Sequence, residues 1–456
     1  WQNKQFLGRG EFTLTFGDFE VSITAPDDHL IAATGTLENM KDILPDNKID
    51  LLNKAKASFE QPVVIYSEDE ARKREKRKAK GNKTWTFKAE NVRDFAFASS
   101  RKFIWDAMAV KLPSGKETMA MSMYPKEGNP LWERYSTKII GHTLKWYSHY
   151  TVEYPYPVCW SVHTDRIGME YPMISFNGGR PEKDGTYSER TKYSLIGVII
   201  HEVGHNFFPM IINSDERQWT WMDEGLTTFV QFLTEQQWER DYPSRRGPAE
   251  NIVPYMSGDK SKIAPIMTNS ESLVQFGNNA YAKPATALNI LRETVMGREL
   301  FDHAFKTYCE RWKFKHPSPA DFFRTMEDAS GVDLDWFWRG WFFSTDHVDQ
   351  GIANIKEMTI DPKAVVARQK TDRLYRSEGI STIRNREEIE QTYSEKDPSV
   401  LDFYNSYDPD QEDQIDKEVY LKYMDQLTEE EKELLQNEKY FYQIDIENPG
   451  GLVMPV

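Results

Sequence analysis

The stretch HEVGH, beginning at His201, sets two histidines four apart around a glutamate, and a second glutamate, Glu224, follows after eighteen intervening residues. Residues four apart share one face of a helix, so His201 and His205 can aim their imidazoles at a common point. Glu202, rotated by about 100° from His201, flanks that point without binding it. This is the arrangement that metal-assisted hydrolysis requires. Two neutral imidazoles and one carboxylate, Glu224, hold a Zn²⁺ ion with a fourth position left open, and Glu202 stands beside that position as the base that takes a proton from water. A structural zinc site would instead close all four positions with Cys or His. The pattern therefore predicts one catalytic Zn²⁺ per chain. The competing reading is a buried helix that merely packs two histidines.

Helices are the elements that would position these residues. SLIGVIIHEVGHNFF supplies a buried wall from Leu195, Ile196, Val198, Ile199 and Ile200 and is closed by Pro209. DEGLTTFVQFLTEQQWE opens a second helix whose Leu226, Phe229, Val230 and Leu233 form the inward stripe. Upstream, Glu11 to Ala25 alternates apolar and polar residues and predicts two half-buried strands around Gly17 and Asp18. The basic run from Glu68 to Lys83 reads as an exposed helix or linker, and WTFKAENVRDFAFASS resumes strand alternation. Pro130 to Tyr150 has helical spacing, VCWSVH reads as a strand, and Gly178–Gly179 mark a turn. Beyond Ser270 the segments KPATALNILRETV, RELFDHAFKTYCERW, SPADFFRTMEDASG and DWFWRGWFF suggest short bundled helices. The remaining histidines match no ligand pattern and read as packing or surface residues.

The chain has 456 residues, 39% of them hydrophobic and 13% aromatic, which fits a folded protein of two or more units. Its formal charge of −15 argues against a nucleic-acid partner. Cys159 and Cys309 show no metal or redox spacing, and no run approaches the eighteen apolar residues of a transmembrane helix. Residues 385 to 447 are crowded with Asp and Glu, and TEEEKELL from Thr428 fits a capping box with Glu431. The stretch from Asp408 to Val419 departs from a calcium loop, with Asp413 where Gly is needed and Val419 where Glu is needed. The chain begins at Trp1, which reads as a piece of a longer protein.

Taken together, His201, Glu202, His205 and Glu224 resemble the gluzincin zinc aminopeptidases, a family that includes alanyl aminopeptidases and leukotriene hydrolase, whose signature is H-E-x-x-H, eighteen residues, and Glu. The likeness covers residues 90 to 345. The family also carries a G-x-M-E-N strand whose glutamate grips the substrate's free α-ammonium group. Here IGMEY matches it at Met169 and Glu170, with Ile167 in place of Gly and Tyr171 in place of Asn. A family tyrosine some sixty residues past the third ligand, within Y-x-K-G, is matched by Tyr281 and Lys283, with Pro284 replacing Gly. Asp223 stands where relatives often show Asn.

What the resemblance implies is an α+β fold, a thermolysin-like zinc metallopeptidase catalytic domain with a preceding β-domain fragment and a helical C-terminal part. The implied boundaries are 1–90 for the end of the β-domain and a linker, 91–265 for the catalytic unit, and 266–345 for its helical companion. Residues 346–456 would form an acidic tail leading toward a C-terminal domain. The implied activity is hydrolysis of N-terminal residues from peptides, with Glu170 and Met169 at the substrate amine, Glu202 as base and Tyr281 as oxyanion donor. Alternatives are an endopeptidase or epoxide hydrolase on the same metal, or a non-catalytic interaction protein on the same scaffold. The resemblance leans toward a periplasmic or secreted location and leaves the oligomeric state open.

Overall fold

The computed structural model describes residues 7, 11, 13–240, 242–359, 397, 399, 414–435 and 440–454. These residues fall into two compact units, one of residues 1–348 with 450–456, the other of residues 349–449.

In the first unit, β1 (Gly17–Pro26) pairs antiparallel with β5 (Asn82–Val92), which also pairs with β3 (Thr36–Leu37). A single strand thus stands where the alternation suggests two. The register of β1 ends with Gly17 opposite Val92, so residues 13–16 have no strand partner among the described residues and stay irregular. β2 (Leu30–Ala33) and β6 (Phe97–Ser100) make a separate antiparallel pair. The one-turn α1 (Met40–Ile43) and α2 (Asp46–Lys56) follow β3. Of the basic run, Glu68–Glu75 forms helix α3, started by a capping box in which Ser67 accepts from the Glu70 amide and Glu70 accepts from the Ser67 amide.

The central element is a six-stranded mixed sheet in the order β10-β11-β9-β8-β7-β4. Its strands are β4 (Val63–Tyr66), β7 (Ile104–Lys111), β8 (Glu117–Tyr124), β9 (Val158–His163), β10 (Gly168–Tyr171) and β11 (Ile174–Asn177). β9 runs parallel to both its neighbours, whereas β7–β8 and β10–β11 are antiparallel hairpins. Every residue of β9, and all but the last of β7, is buried, so alternation is absent where the sheet is covered on both faces. The 20-residue helix α4 (Leu131–Tyr150) lies against β7, β8 and β9.

Helix α5 (Glu189–Gly204) packs on α4, and α6 (Glu224–Trp238) packs on both. The Ser188 hydroxyl caps α5 by accepting from the Thr191 amide at 3.1 Å. The helix closes at Gly204, earlier than the apolar run suggests, because Pro209 forces the residue before it out of helical geometry and Asn206–Met210 turn instead. Close helix approach is written into two glycines. A Cβ on Gly204 would stand 2.2 Å from the Tyr147 hydroxyl of α4, and one on Gly225 would stand 2.6 Å from Pro284. Beyond the one-turn α7 (Val253–Met256) come α8 (Lys283–Ile290), α9 (Arg298–Trp312), α10 (Pro319–Ser330) and α11 (Asp335–Phe343), the bundle the sequence suggests. Trp221, Phe322, Phe323, Trp338 and Phe342 interlock their rings at its centre. Sheets and helices are segregated as in an α+β fold.

The second unit contains an antiparallel ribbon of β12 (Gly351–Thr359) and β13 (Tyr440–Glu447), with helices at Gln414–Gln426 and Glu429–Leu435. The Thr428 and Glu431 capping box is present, each accepting from the other's backbone amide. Asp408 to Asp413 of the calcium-loop candidate lie outside the described residues, and Gln414 to Val419 are helical.

Candidate active site

α5 delivers His201 and Glu202 in its last turn and His205 as its C-terminal cap, and the cap keeps helical geometry at φ −60° and ψ −16°. The four-residue spacing therefore retains its common face. Glu224 begins α6 immediately after Asp223, and its carboxylate meets both rings: Oε2 lies 3.1 Å from His201 Nε2 and 3.2 Å from His205 Nε2. The two Nε2 atoms are 3.1 Å apart.

The outer nitrogens decide what this triangle can hold. His201 Nδ1 faces Gln231 Oε1 at 2.9 Å, and His205 Nδ1 faces the Phe208 carbonyl oxygen at 2.8 Å. Gln231 is oriented by its own amide, which donates to Glu235 Oε1 at 2.7 Å and to the Gly197 carbonyl at 3.2 Å. With both rings neutral and donating outward from Nδ1, two Nε2 lone pairs and a carboxylate oxygen converge on one point. A cation resolves that convergence. Ligand atoms at about 2.0–2.2 Å from a tetrahedral ion stand about 3.3 Å apart, close to the separations found here. The donor set fits a divalent metal of the zinc type.

Before an ion binds, protonated rings and the carboxylate attract one another. Burial alone would raise the Glu224 carboxyl, yet His205 and His201 hold it well below the usual carboxylate range. Glu202 is buried and its carboxyl is raised, first by desolvation and further by Glu224, against the opposing pull of His201 and His205. Its Oε1 is pressed against β10, since a Cβ on Gly168 would stand 2.2 Å away.

Tyr281 lies in a π-helical turn, Gly277–Ala282, that runs into α8. Its hydroxyl donates to Glu224 Oε1 at 2.6 Å, and its ring stacks on His201 with centroids 5.7 Å apart. Lys283 turns the other way, burying its ammonium against the Ser344 carbonyl at 3.1 Å. Glu170 sits on β10 beneath the site, 4.0 Å from His205 Nδ1, and its Oε1 is buried without a hydrogen-bond partner among the described residues. Asp223 lies 2.8 Å from the same ring nitrogen. Carboxylate oxygens of Glu11, Glu170, Glu216 and Asp223 all lie within 4.8 Å of one another. Arg93 pairs with Glu216 at the edge of this acidic group. Met169 is half-buried on the opposite side of β10 from its neighbours.

A cavity of about 840 Å³ opens over the metal-ligand end of α5, lined by Gly168, His201, Glu202, Gln231 and Tyr281 among others. Glu170 does not line it; Gly168, two residues before it on the same strand, does. Three participants escape a sequence reading. Gln231 and Glu235 follow Glu224 by seven and eleven residues, two and three helical turns on, and that spacing was the available signal. Arg246 lies in an irregular loop with no periodicity to betray it.

Comparison with known proteins shows what the chain is similar to. Residues 135–341 match the model of the peptidase family M1 domain. Human glutamyl aminopeptidase is 26% identical over 187 residues, covering 38% of this chain and 19% of its own. Aminopeptidase N of Escherichia coli K12 is 27% identical over 261 residues, covering 50% of this chain and 27% of its own. The chain thus spans well under a third of the length of these relatives. Among solved structures, an M1 zinc metallopeptidase mutant from Deinococcus radiodurans bound to a Tyr-Ser-Ala substrate superposes with TM-score 0.51 at 16% identity, over 72% of this chain and 64% of that one. Legionella pneumophila aminopeptidase A in complex with aspartic acid superposes with TM-score 0.52 at 14% identity, over 75% and 37%. At these identities the likeness speaks for the fold.

Proposed function

We propose, from the match of residues 135–341 to the peptidase family M1 domain, that the chain carries the catalytic part of a zinc-dependent aminopeptidase acting on peptides. The convergence of His201, His205 and Glu224 beside Glu202 and an open cavity is the observation that carries this reading. Those three residues would hold the ion. When bound, zinc supplies a Lewis acid for the scissile carbonyl and lowers the pKa of a water toward neutrality.

The chain's own residues do the rest. Glu202, with its carboxyl raised by burial, is suited to accept a proton from water and release it to the departing amine nitrogen. Tyr281 holds its hydroxyl on Glu224 and can redirect that hydrogen bond to the oxygen on which charge develops. Gln231 fixes the His201 ring, and the Phe208 carbonyl fixes the His205 ring. Glu170 offers a buried, unpartnered carboxylate oxygen that an α-ammonium group would satisfy, which supports its role as anchor of the peptide's N-terminus. Met169 precedes it on β10 but faces the other side of the strand and does not line the cavity, so the hold on the amine would rest on Glu170.

One observation favours a second reading. Glu170 lies behind the cavity wall, and a site that ignores the amine would cut internal bonds. Aminoacyl arylamides and their N-blocked counterparts separate the two. The aminopeptidase reading expects turnover of free-amine substrates alone, abolished by a chelator and restored by zinc. Equal turnover of blocked substrates would remove the role given to Glu170. In Glu202→Gln, kcat should fall by about 10²–10⁴ while metal analysis still finds one zinc per chain; retained activity would remove the base.

A further inference from the structure

The cavity's wall away from β10 is charged, and its half-buried cation, Arg246, pairs with no carboxylate among the described residues. Arg246 lies in the loop between α6 and α7 and lines the cavity alongside Tyr281 and His201. Its guanidinium sits 4.2 Å over the Tyr281 ring. The backbone beside it is fixed: Gly247 takes φ 110°, and a Cβ there would stand 2.4 Å from the Phe232 ring of α6. The two charged residues flanking it have polar partners of their own. Arg245 donates to the Ser194 hydroxyl at 3.0 Å, and Glu235 accepts from Gln231 at 2.7 Å and from the Ser244 hydroxyl at 2.5 Å. Among the described residues no carboxylate pairs with Arg246. It is a planar cation, partly withdrawn from water, facing the space a peptide would occupy. Desolvation is costly for such a group unless an anion arrives with the ligand.

We propose that Arg246 forms a carboxylate-binding subsite of this cavity, engaging a peptide carboxylate through the paired N–H donors of its guanidinium. The proposal rests on the peptidase reading above and adds which peptides the site prefers. With the peptide's amine toward β10 and Glu170, the portion leaving after cleavage extends toward Arg246. The guanidinium is one tyrosine ring away from Glu224, and an extended chain advances about 3.5 Å per residue. A carboxylate one or two residues past the scissile bond is therefore within reach. It can be the free C-terminus of a dipeptide or tripeptide, or an acidic side chain at that position. A guanidinium serves either by two parallel hydrogen bonds, which an ammonium cannot reproduce.

The test compares substrate pairs on the zinc-loaded chain: Ala-Ala against Ala-Ala-amide for the terminal carboxylate, and Ala-Glu-amide against Ala-Gln-amide for the side chain. At least one pair should show kcat/KM about tenfold higher for the carboxylate member. Arg246→Ala and Arg246→Gln should bring that ratio to about one, with Arg246→Lys in between. Preference within the first pair alone assigns the terminal carboxylate, and within the second alone the side chain. Wild-type ratios near one in both pairs, or ratios that survive in Arg246→Ala and Arg246→Gln, would overturn the subsite while leaving the aminopeptidase intact. Calorimetric titration of Glu202→Gln with Ala-Ala and Ala-Ala-amide, and with the Glu and Gln pair, reads the same preference as a ratio of Kd without turnover. A chain that cleaves no peptide but keeps an Arg246-dependent Kd ratio would retain the subsite and lose the peptidase reading.

Discussion

At the residue scale, the decisive contacts are short and few. The Tyr281 hydroxyl is 2.6 Å from Glu224 Oε1 and, among the described residues, has no other hydrogen-bond partner to keep it there once an oxyanion forms. Tyr281→Phe should lower kcat by about 10²–10³ with KM little changed, as measured on an aminoacyl arylamide; a raised KM with kcat unchanged would make Tyr281 a binding residue. The metal triad was legible in the sequence because a four-residue spacing on a helix encodes direction, and Glu224 because it opens a helix. Tyr281 and Glu170 were visible only through family likeness, since one tyrosine among 22 carries no spacing of its own. Arg246 was not legible at all. Its position depends on a loop whose course is set by Gly247 and Phe232, a tertiary fact with no period in the sequence.

At the element scale, α4 joins the sheet through buried polar groups as well as apolar ones. Asp106 on β7 accepts from the Tyr124 hydroxyl at 2.6 Å and from the Thr137 hydroxyl of α4, fully shielded from water. Burial pushes its carboxyl up from 3.8 to about 6, with the two hydroxyls opposing. The folded chain thus keeps a proton that the unfolded chain releases. The stability this confers is full below about pH 4 and is lost as pH rises through about 6. Asp106→Asn should therefore gain up to about 3 kcal/mol on the wild type at pH 7.5 and nothing at pH 4, read from urea unfolding at both. Parallel pH profiles would show that the carboxyl is not strained. The contact of α4 with α5 is equally demanding. Tyr147 donates to the Thr227 carbonyl at 2.8 Å and cannot move aside for a methyl on Gly204. Gly204→Ala should cost about 1–3 kcal/mol, seen as a lower Tm and a weaker hold on zinc, because His205 follows directly. The strand and helix types of this unit were readable from periodicity. The single β1 strand and the early end of α5 were not, because a missing pairing partner and a turn before proline decided them.

At the scale of the whole molecule, the two units differ in how their strands are protected. β7 and β9 are buried along nearly their full length, whereas Ile352, Tyr442 and Ile444 of the second unit's ribbon are 61%, 58% and 51% exposed. A two-stranded ribbon with both faces wet has little to resist opening. Its amides should exchange at least about 10²-fold faster than those of β7–β9 in hydrogen exchange followed by mass spectrometry. Comparable protection would mean that a covering surface is present in solution. The acidic composition after Asp346 marked this region as different in the sequence, yet nothing in it forecast an apolar ribbon of this length.

The π-helical turn that carries Tyr281 has a lasting consequence. Such a turn holds one residue more than an ordinary α-helical turn, and that surplus sets the angle at which the phenol leaves α8. Deleting one residue between Gly277 and Tyr281 would let the segment rewind as an α-helix and turn the ring from its present direction, off Glu224 and out from under Arg246. Loss of a single codon could thus silence the chemistry with every ligand still in place. A descendant with intact histidines need not be an enzyme.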